Sequence, residues 1–363
     1  MPAEVEFGGQ GLPSLVSTPV LEMWKASNMA FSLCQMLTMG AVSAIAHHGT
    51  EDQKATYLPR MVEGAWTGTM NLTEPQAGSD LAAVRARATP EGAHYRITGT
   101  KIFITWGEND VAENIIHLVL ARLPDAPPGV KGISLFIVPK KLVNTEGALT
   151  GVRNDVALAG LNHKCGWRGT TNTLLNFGEG KYPVDGAAGA VGYRVGAVGD
   201  GLRCMFHMMN EARIGVGIAA TMLGMAGYHA SLDYARNRPQ GRPLGAGGKD
   251  ATQAQVRIIE HADVKRMLLA QKAYCEGALA LELYCARLVD EQHTGGAEAA
   301  NDARLLLEVL TPIAKSWPSE WCLEANSLAI QVLGGYGYTR DFPVEQYWRD
   351  NRLNMIHEGT HGI

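Results

Sequence analysis

Near the end of the chain stands Ile356-His357-Glu358-Gly359-Thr360. A carboxylate becomes a useful proton acceptor when bound substrate strips water from it, because desolvation raises its pKa. A lone glutamate near a chain end reads equally as a solvated surface side chain. Far upstream lies Leu72-Thr73-Glu74-Pro75-Gln76-Ala77-Gly78-Ser79-Asp80. Pro75 fixes φ, Gly78 permits a close backbone approach, and the Ser79 hydroxyl can donate and accept. That pattern makes a tight turn after a strand, or a surface on which Thr73 and Ser79 face a ligand ring. Gln331-Val332-Leu333-Gly334-Gly335-Tyr336-Gly337 is glycine-rich, but no strand precedes it, so it is not a dinucleotide fingerprint. It is a helix stop or a backbone that can approach phosphate oxygens without a Cβ in the way. Two arginines attend one helical run: Arg213, three residues after Asn210 within it, suited to paired oxygens of an anion or to a helix surface, and Arg238 after its end, suited to an anion or to a helix dipole.

The elements that must hold these residues change character twice along the chain. Residues 12–67 read as helical. Ala26 to Ala46 is apolar on all faces, with Met29, Phe31, Leu33, Met36 and Leu37, and predicts a largely buried helix ending at His47-His48-Gly49. Thr50-Glu51-Asp52-Gln53 predicts a capping box for the next helix. From Trp66 short β-rich runs take over: 70–72, 95–99, 101–105, 115–120 and 133–138. They predict an all-β barrel or sandwich to about Gly192, with Gly178 to Gly189 as a surface loop. Phe103 reads as a core aromatic of its strand. Helical periodicity returns over 204–234, 251–288, 302–333 and 344–352, with Pro312 and Pro318 interrupting the third run and 294–301 as a linker. The expected organisation is α+β: an N-terminal helical domain (1–67), a central β-barrel-like domain (68–192) and a C-terminal helical bundle (193–363).

The net charge of −4 argues against a general nucleic-acid binder. No run reads as long enough to span a bilayer, and no secretory leader opens the chain, so a cytoplasmic setting is expected. The six cysteines form no CxxC pair and read as buried free thiols. His163 with Cys165 is too sparse a pair for zinc, and no metal is expected. His47, His48, His163, His207 and His261 read as structural or surface residues.

Together, the Thr73–Asp80 segment, the Lys101–Gly107 strand and the Gln331–Thr360 tail resemble the acyl-CoA dehydrogenase family over essentially the whole chain. Residues 108–115 and 124–140 resemble its long branch, which holds 3-methylmercaptopropionyl-CoA and long-chain acyl-CoA dehydrogenases. Members of that branch carry more helix before the first residues and a further C-terminal domain, so the chain reads as a fragment. The resemblance implies FAD as cofactor, contacted by Leu72, Thr73, Gly78, Ser79, Phe103, Thr105 and Thr360, with Arg238, Gln331, Gly334 and Gly335 reaching the FAD of a neighbouring subunit. It implies acyl-CoA near Ser79, Asn210, Arg213 and Gly359. Phe103 stands where many relatives have Trp, Asn210 replaces an Asp, Gln240-Gly241 replaces Thr-Phe, and His357 replaces a frequent Tyr.

The implied chemistry is α,β-dehydrogenation of an acyl-CoA thioester to the trans-2-enoyl thioester. Glu358 takes the α-proton while hydride leaves Cβ for flavin N5. The Glu358 amide and a ribityl hydroxyl polarise the thioester carbonyl. Electrons pass on to an electron-transfer flavoprotein, and the assembly is a homodimer or homotetramer. The alternatives are an acyl-CoA oxidase and a non-catalytic fragment. A nucleic-acid-binding homologue would need a basic domain that this chain lacks.

Overall fold

In the computed structural model, residues 2–245 and 248–363 are described, apart from the side chains of 207–211 and of Gly245. The chain forms two compact units. The first comprises Met1–Pro13, Ala30–Lys164 and Arg168–Ala212; the second comprises Ser14–Met29, Cys165–Trp167 and Arg213–Ile363.

Three helices open the chain: α1 (Ser14–Ser27), α2 (Met29–His48) and α3 (Glu51–Glu63). The single helix expected from Ala26 is broken, because α1 closes with the Asn28 N–H bonded to the Trp24 carbonyl and α2 starts afresh at Met29. Asn favours such ends because its side chain competes for the backbone. At 20 residues α2 is long and apolar enough to cross a membrane, which corrects the sequence expectation. Its Leu33, Leu37, Ala41, Val42 and Ile45 side chains are nevertheless buried. The Gly68 N–H donates to Thr38 Oγ1, and a Cβ on Gly68 would sit 2.5 Å from that of Ala41, so only glycine lets this strand lie against α2. The capping box at α3 forms as expected: Thr50 Oγ1 accepts from Gln53 N, and Gln53 returns to Thr50 N.

Ten strands follow: β1 (Trp66–Asn71), β2 (Arg87–Glu91), β3 (His94–Thr105), β4 (Asn114–Arg122), β5 (Ile133–Pro139), β6 (Lys141–Val143), β7 (Leu149–Arg153), β8 (Val156–Leu161), β9 (Asn172–Phe177) and β10 (Ala190–Val195). The main sheet runs β1-β4-β5-β10-β3-β9-β8, with β2 on β3 and β4; β6 and β7 pair separately. β4 and β5 are buried almost throughout, as their near-continuous apolar sequences require of central strands. The two runs expected at 95–99 and 101–105 are one strand, β3. Gly99, at φ +144, joins them where a Cβ would meet Ala86 at 2.8 Å. The Gly178–Gly189 segment is tied down by buried Asp155, which accepts from the amides of Gly180, Tyr182 and Gly189 at 2.8–3.0 Å.

Four more helices complete the chain: α4 (Gly201–Asn237), α5 (Ala262–Thr294), α6 (Ala297–Leu333) and α7 (Val344–Asn351). In the second unit α4 meets α6 closely. A Cβ on Gly217 would fall 2.1 Å from the Ala314 carbonyl, and one on Gly224 would fall 2.8 Å from Cys322 Cβ. Three expectations fail here. Residues 251–261 form no α-helix, only a 3-10 turn at Ile258–Glu260, because the chain pairs back through Gln240 N to Val256 O and Ile258 N to Arg238 O. The linker shrinks to Gly295-Gly296, since the Ala-Glu-Ala-Ala that follows is good helix sequence. Pro312 and Pro318 do not interrupt α6; nearby hydroxyls, Thr311 to the Leu307 carbonyl and Ser319 to the Lys315 carbonyl, take part in the bonding of that stretch. Five cysteines are buried free thiols, but Cys165 is exposed.

Candidate active site

On the first unit, the chain leaves β1 into a two-bond turn, Glu74 and Ala77 exchanging N–H and carbonyl at 2.9 and 3.0 Å. Glu74 is the anchor. Its carboxylate accepts from the amides of Arg85 (2.7 Å) and Ala86 (3.0 Å), from Gln76 and from Lys101 Nζ (2.8 Å). Lys101 also donates to the Leu72 carbonyl at 3.0 Å, and Ile102 N to the Thr73 carbonyl at 3.0 Å. Leu72 and Thr73 are thereby fastened to β3. Burial pushes the Glu74 pKa up, but the Lys101 charge and the amides outweigh it and hold it below the ordinary carboxylate value. Burial brings Lys101 down to about 8 against the pull of Glu74, so both groups are charged at neutral pH. Neither residue's role was foreseen from sequence. A lysine inside the apolar part of a β-strand, with a glutamate in the preceding turn, is the signal that could have found it.

Gly78 and Ser79 are exposed, and a Cβ on Gly78 would meet nothing within 4 Å. Thr105 is half-buried at the end of β3. Phe103 is not a core residue. It is 61% exposed, with φ +61, where the pairing of β3 with β9 shifts between Lys101 and Ile104. A bulge there turns an aromatic ring out of the sheet, and a left-handed φ on a bulky residue signals local strain.

On the second unit, Glu358 sits half-buried on a left-handed turn. Its φ is +52, that of Gly359 is +102, and a Cβ on Gly359 would meet open space. Burial pushes the Glu358 pKa up to about 7, opposed first by the Arg213 charge on α4 and then by Lys315 on α6. Lys315, 3% exposed, donates to the Gly359 carbonyl. Burial lowers its own pKa to about 8, with Glu358 opposing. The loop is closed by His361 N to the Met355 carbonyl at 3.0 Å.

Behind Glu358 runs a buried amide chain. Asn326 donates to the Leu223 carbonyl (2.8 Å), Asn351 to Asn326 Oδ1 (2.7 Å) and to the Ala220 carbonyl (3.1 Å), and Asn354 to Asn351 Oδ1 (2.9 Å). His357 Nε2 lies 3.2 Å from Asn354 Oδ1, and its ring packs edge-on to Trp167 with centroids 4.9 Å apart. Burial drives the His357 pKa down to about 3, so the ring is neutral and its Nε2–H donates to Asn354. Such linked polar groups fix one geometry when every member is satisfied. Sequence reading missed this chain and Lys315; the signal was polar residues, Lys315 among them, recurring inside otherwise small and apolar helical stretches.

A third cluster lies where α4 ends near the close of α6. Tyr234, Arg238, Gln240, Ile258 and residues 332–336 with Thr339 line an open groove of about 510 Å³. The Arg238 guanidinium stands 5.8 Å from the Tyr336 ring centroid. Gly334 has φ +62, and added Cβ atoms on Gly334 and Gly335 would meet nothing. Gln331 is exposed beside the groove but does not line it; its carbonyl accepts from Gly334 N. Thr360 is half-buried in the tail loop. The side chain of Asn210 lies outside the described residues, as does that of His207.

Three domain models of one family match in order: acyl-CoA dehydrogenase N-terminal domain at residues 1–65, middle domain at 69–173 and C-terminal domain at 248–363. The short/branched chain specific acyl-CoA dehydrogenase of Rattus norvegicus is 32% identical over 99% of this chain and 72% of its own length. The chain belongs to the acyl-CoA dehydrogenase family. Within that family it is 44% identical to 3-methylmercaptopropionyl-CoA dehydrogenase of Ruegeria pomeroyi, over 99% of this chain and 58% of that protein. It spans a little under three fifths of the length of its more similar curated relatives. The structure of butyryl-CoA dehydrogenase from Megasphaera elsdenii shares the fold, with TM-score 0.78 and 24% identity over 99% of this chain and 82% of that one. The family architecture is thus the expected one: helices, a β-domain, then helices.

FAD is the cofactor associated with acyl-CoA dehydrogenases, and the residues present fit parts of it. The groove offers one cation, Arg238, and glycines at which no side chain blocks an approaching phosphate. Phe103 offers an exposed flat ring.

Proposed function

We propose that this acyl-CoA dehydrogenase homologue oxidises an acyl-CoA thioester to its trans-2-enoyl product, with Glu358 as the base. One observation carries the reading: Glu358 is held on a left-handed turn that Lys315 fastens at the Gly359 carbonyl, where burial pushes its carboxylate pKa up to about 7. A base works best with its pKa near the working pH, and a half-buried carboxylate shifted into that range suits removal of a weakly acidic α-proton. The neighbouring Arg213 and Lys315 charges keep a useful fraction ionised.

FAD would be held by Leu72, Thr73, Gly78, Ser79, Phe103, Thr105 and Thr360, with Arg238, Gln331, Gly334 and Gly335 reaching the FAD of a neighbouring copy of the chain, and would supply the acceptor for the Cβ hydride. The chain's own work is to orient the thioester and move one proton. The Glu358 amide donates to the thioester carbonyl, and a fixed donor at a developing enolate is worth about 3 kcal/mol. Open space beside Gly359 admits the substrate's reacting carbons. Arg213 and Asn210 bind the coenzyme A portion. Electrons would leave to an electron-transfer flavoprotein, the acceptor that family membership favours.

The test is anaerobic mixing of FAD-loaded protein with a panel of acyl-CoA thioesters. Glu358→Gln is expected to keep the yellow colour and to lose flavin bleaching by at least about a thousandfold. Bleaching at an unchanged rate in that variant sinks the assignment.

A further inference from the structure

We propose that Lys315 is a positioning residue for the base: its buried ammonium, bonded to the Gly359 carbonyl, clamps the left-handed turn that presents Glu358. This deepens the proposed function and rests on Glu358 being the base. The argument begins with cost. A lysine that is 3% exposed in mid-helix gives up most of its hydration, and nothing about helix formation asks for it there. What it gains is one backbone carbonyl, 44 positions further along the chain, immediately after Glu358. That carbonyl belongs to the turn where Glu358 has φ +52 and Gly359 φ +102. A non-glycine residue in the left-handed region costs about 1–2 kcal/mol, so the turn persists only if something holds it.

Lys315 is itself held. Ser319 Oγ donates to its carbonyl, and α6 is pressed on α4 where Gly217 leaves no room for a Cβ against the Ala314 carbonyl. The helix that carries the ammonium is therefore a fixed platform, whereas the tail loop is short and partly exposed. Among the described residues, the charged and titratable groups facing this region are Glu358, His357 and His361 on the tail, Arg352 ahead of them, Glu320 on α6, Arg213 on α4 and Lys25 on α1. Lys25 donates to the Gly215 carbonyl at 2.6 Å, and the Glu282 carboxylate on α5 lies beyond it. His357 is neutral, so the fixed cations near Glu358 are Arg213 and Lys315. Lys315 thus has two effects on one target. It fixes the backbone after the base, and it favours the ionised carboxylate.

Lys315→Met keeps most of the side chain's unbranched length and removes both effects; Lys315→Arg keeps the charge and the ability to donate. In FAD-loaded protein, the rate of flavin reduction at saturating acyl-CoA is measured against pH, alongside the Kd of a non-reacting acyl-CoA analogue and the flavin spectrum. Lys315→Met is expected to slow reduction roughly ten- to hundredfold and to move the apparent pKa of the rate up by about one unit. Analogue affinity and spectrum should stay within about twofold of the parent, and Lys315→Arg should restore most of the rate and the pKa. The positioning role is overturned if Lys315→Met keeps both rate and pKa. It is equally overturned if rate, flavin binding and analogue affinity fall together and Lys315→Arg restores none of them, the pattern of a purely structural lysine. Glu358→Gln separates the two proposals: bleaching retained there removes the base assignment, whereas bleaching lost there with Lys315→Met unaffected removes only the clamp.

Discussion

The carboxylate of Glu358 is costly to ionise where it lies. Its pKa rises from 4.5 to about 7, with burial as the leading cause. A raised folded-state value means that the residue's contribution to stability is fully present below pH 4.5. That contribution is lost as pH climbs through 7. Glu358→Gln should therefore match the parent in thermal stability near pH 4 and exceed it near pH 8, by up to about 3 kcal/mol. Thermal melts of both proteins across that range check the sign; a variant less stable at pH 8 than the parent contradicts the raised pKa. The charged pair on the other unit follows the opposite logic. Glu74 sits below its ordinary value, so it stabilises the fold above pH 4.5, and that support fades as acid protonates it. The contrast fits a site: the turn's anchor is satisfied by four donors, while the candidate base is left with a tunable proton.

Elements carry these residues by breaking their own regularity. β3 runs twelve residues but slips register between Lys101 and Ile104, and the slip turns Phe103 outward. An aromatic that is 61% exposed contributes little burial, so Phe103→Ala should shift unfolding by under about 1 kcal/mol. If Phe103 walls the flavin, the same change should alter the visible spectrum of FAD-loaded protein or weaken FAD binding several-fold. Normal colour and affinity in that variant would remove Phe103 from the flavin site. The tail shows the same economy. α7 ends at Asn351, and from there the amide chain of Asn326, Asn351 and Asn354 fixes His357 before Glu358 enters its left-handed turn.

At the scale of the whole chain, the flavin-contacting residues of the proposal come from stretches far apart in sequence, and the Arg238–Gly335 groove offers an open volume of about 510 Å³. A ligand that binds only the folded protein raises its stability, by about 2.7 kcal/mol at a hundred times its Kd. Adding FAD to the flavin-free chain should raise Tm accordingly. Gly335→Val puts a side chain into open space, so the flavin-free chain should melt as the parent does while losing the FAD-linked rise. A rise of undiminished size in that variant takes the groove out of the FAD site.

The order of helices, strands and helices was legible because periodicity changes twice along the chain, and local patterns such as the Thr50–Gln53 capping box are complete within four residues. The family was legible because its motifs are contiguous. Three things were not local. Asn28 divides a run that is uniformly apolar by composition. Residues 251–261 follow the backbone at Arg238–Gly241 instead of their own helical pattern. Phe103 leaves the core because the pairing of β3 with β9 slips there. The sequence by itself determined which residue types were present to do chemistry and the elements that would carry most of them. Only the tertiary structure decided that Lys315 reaches the Gly359 carbonyl and that Glu358 titrates near neutrality. Burial and the approach of distant charges are sums over the folded chain, and no window of sequence contains them.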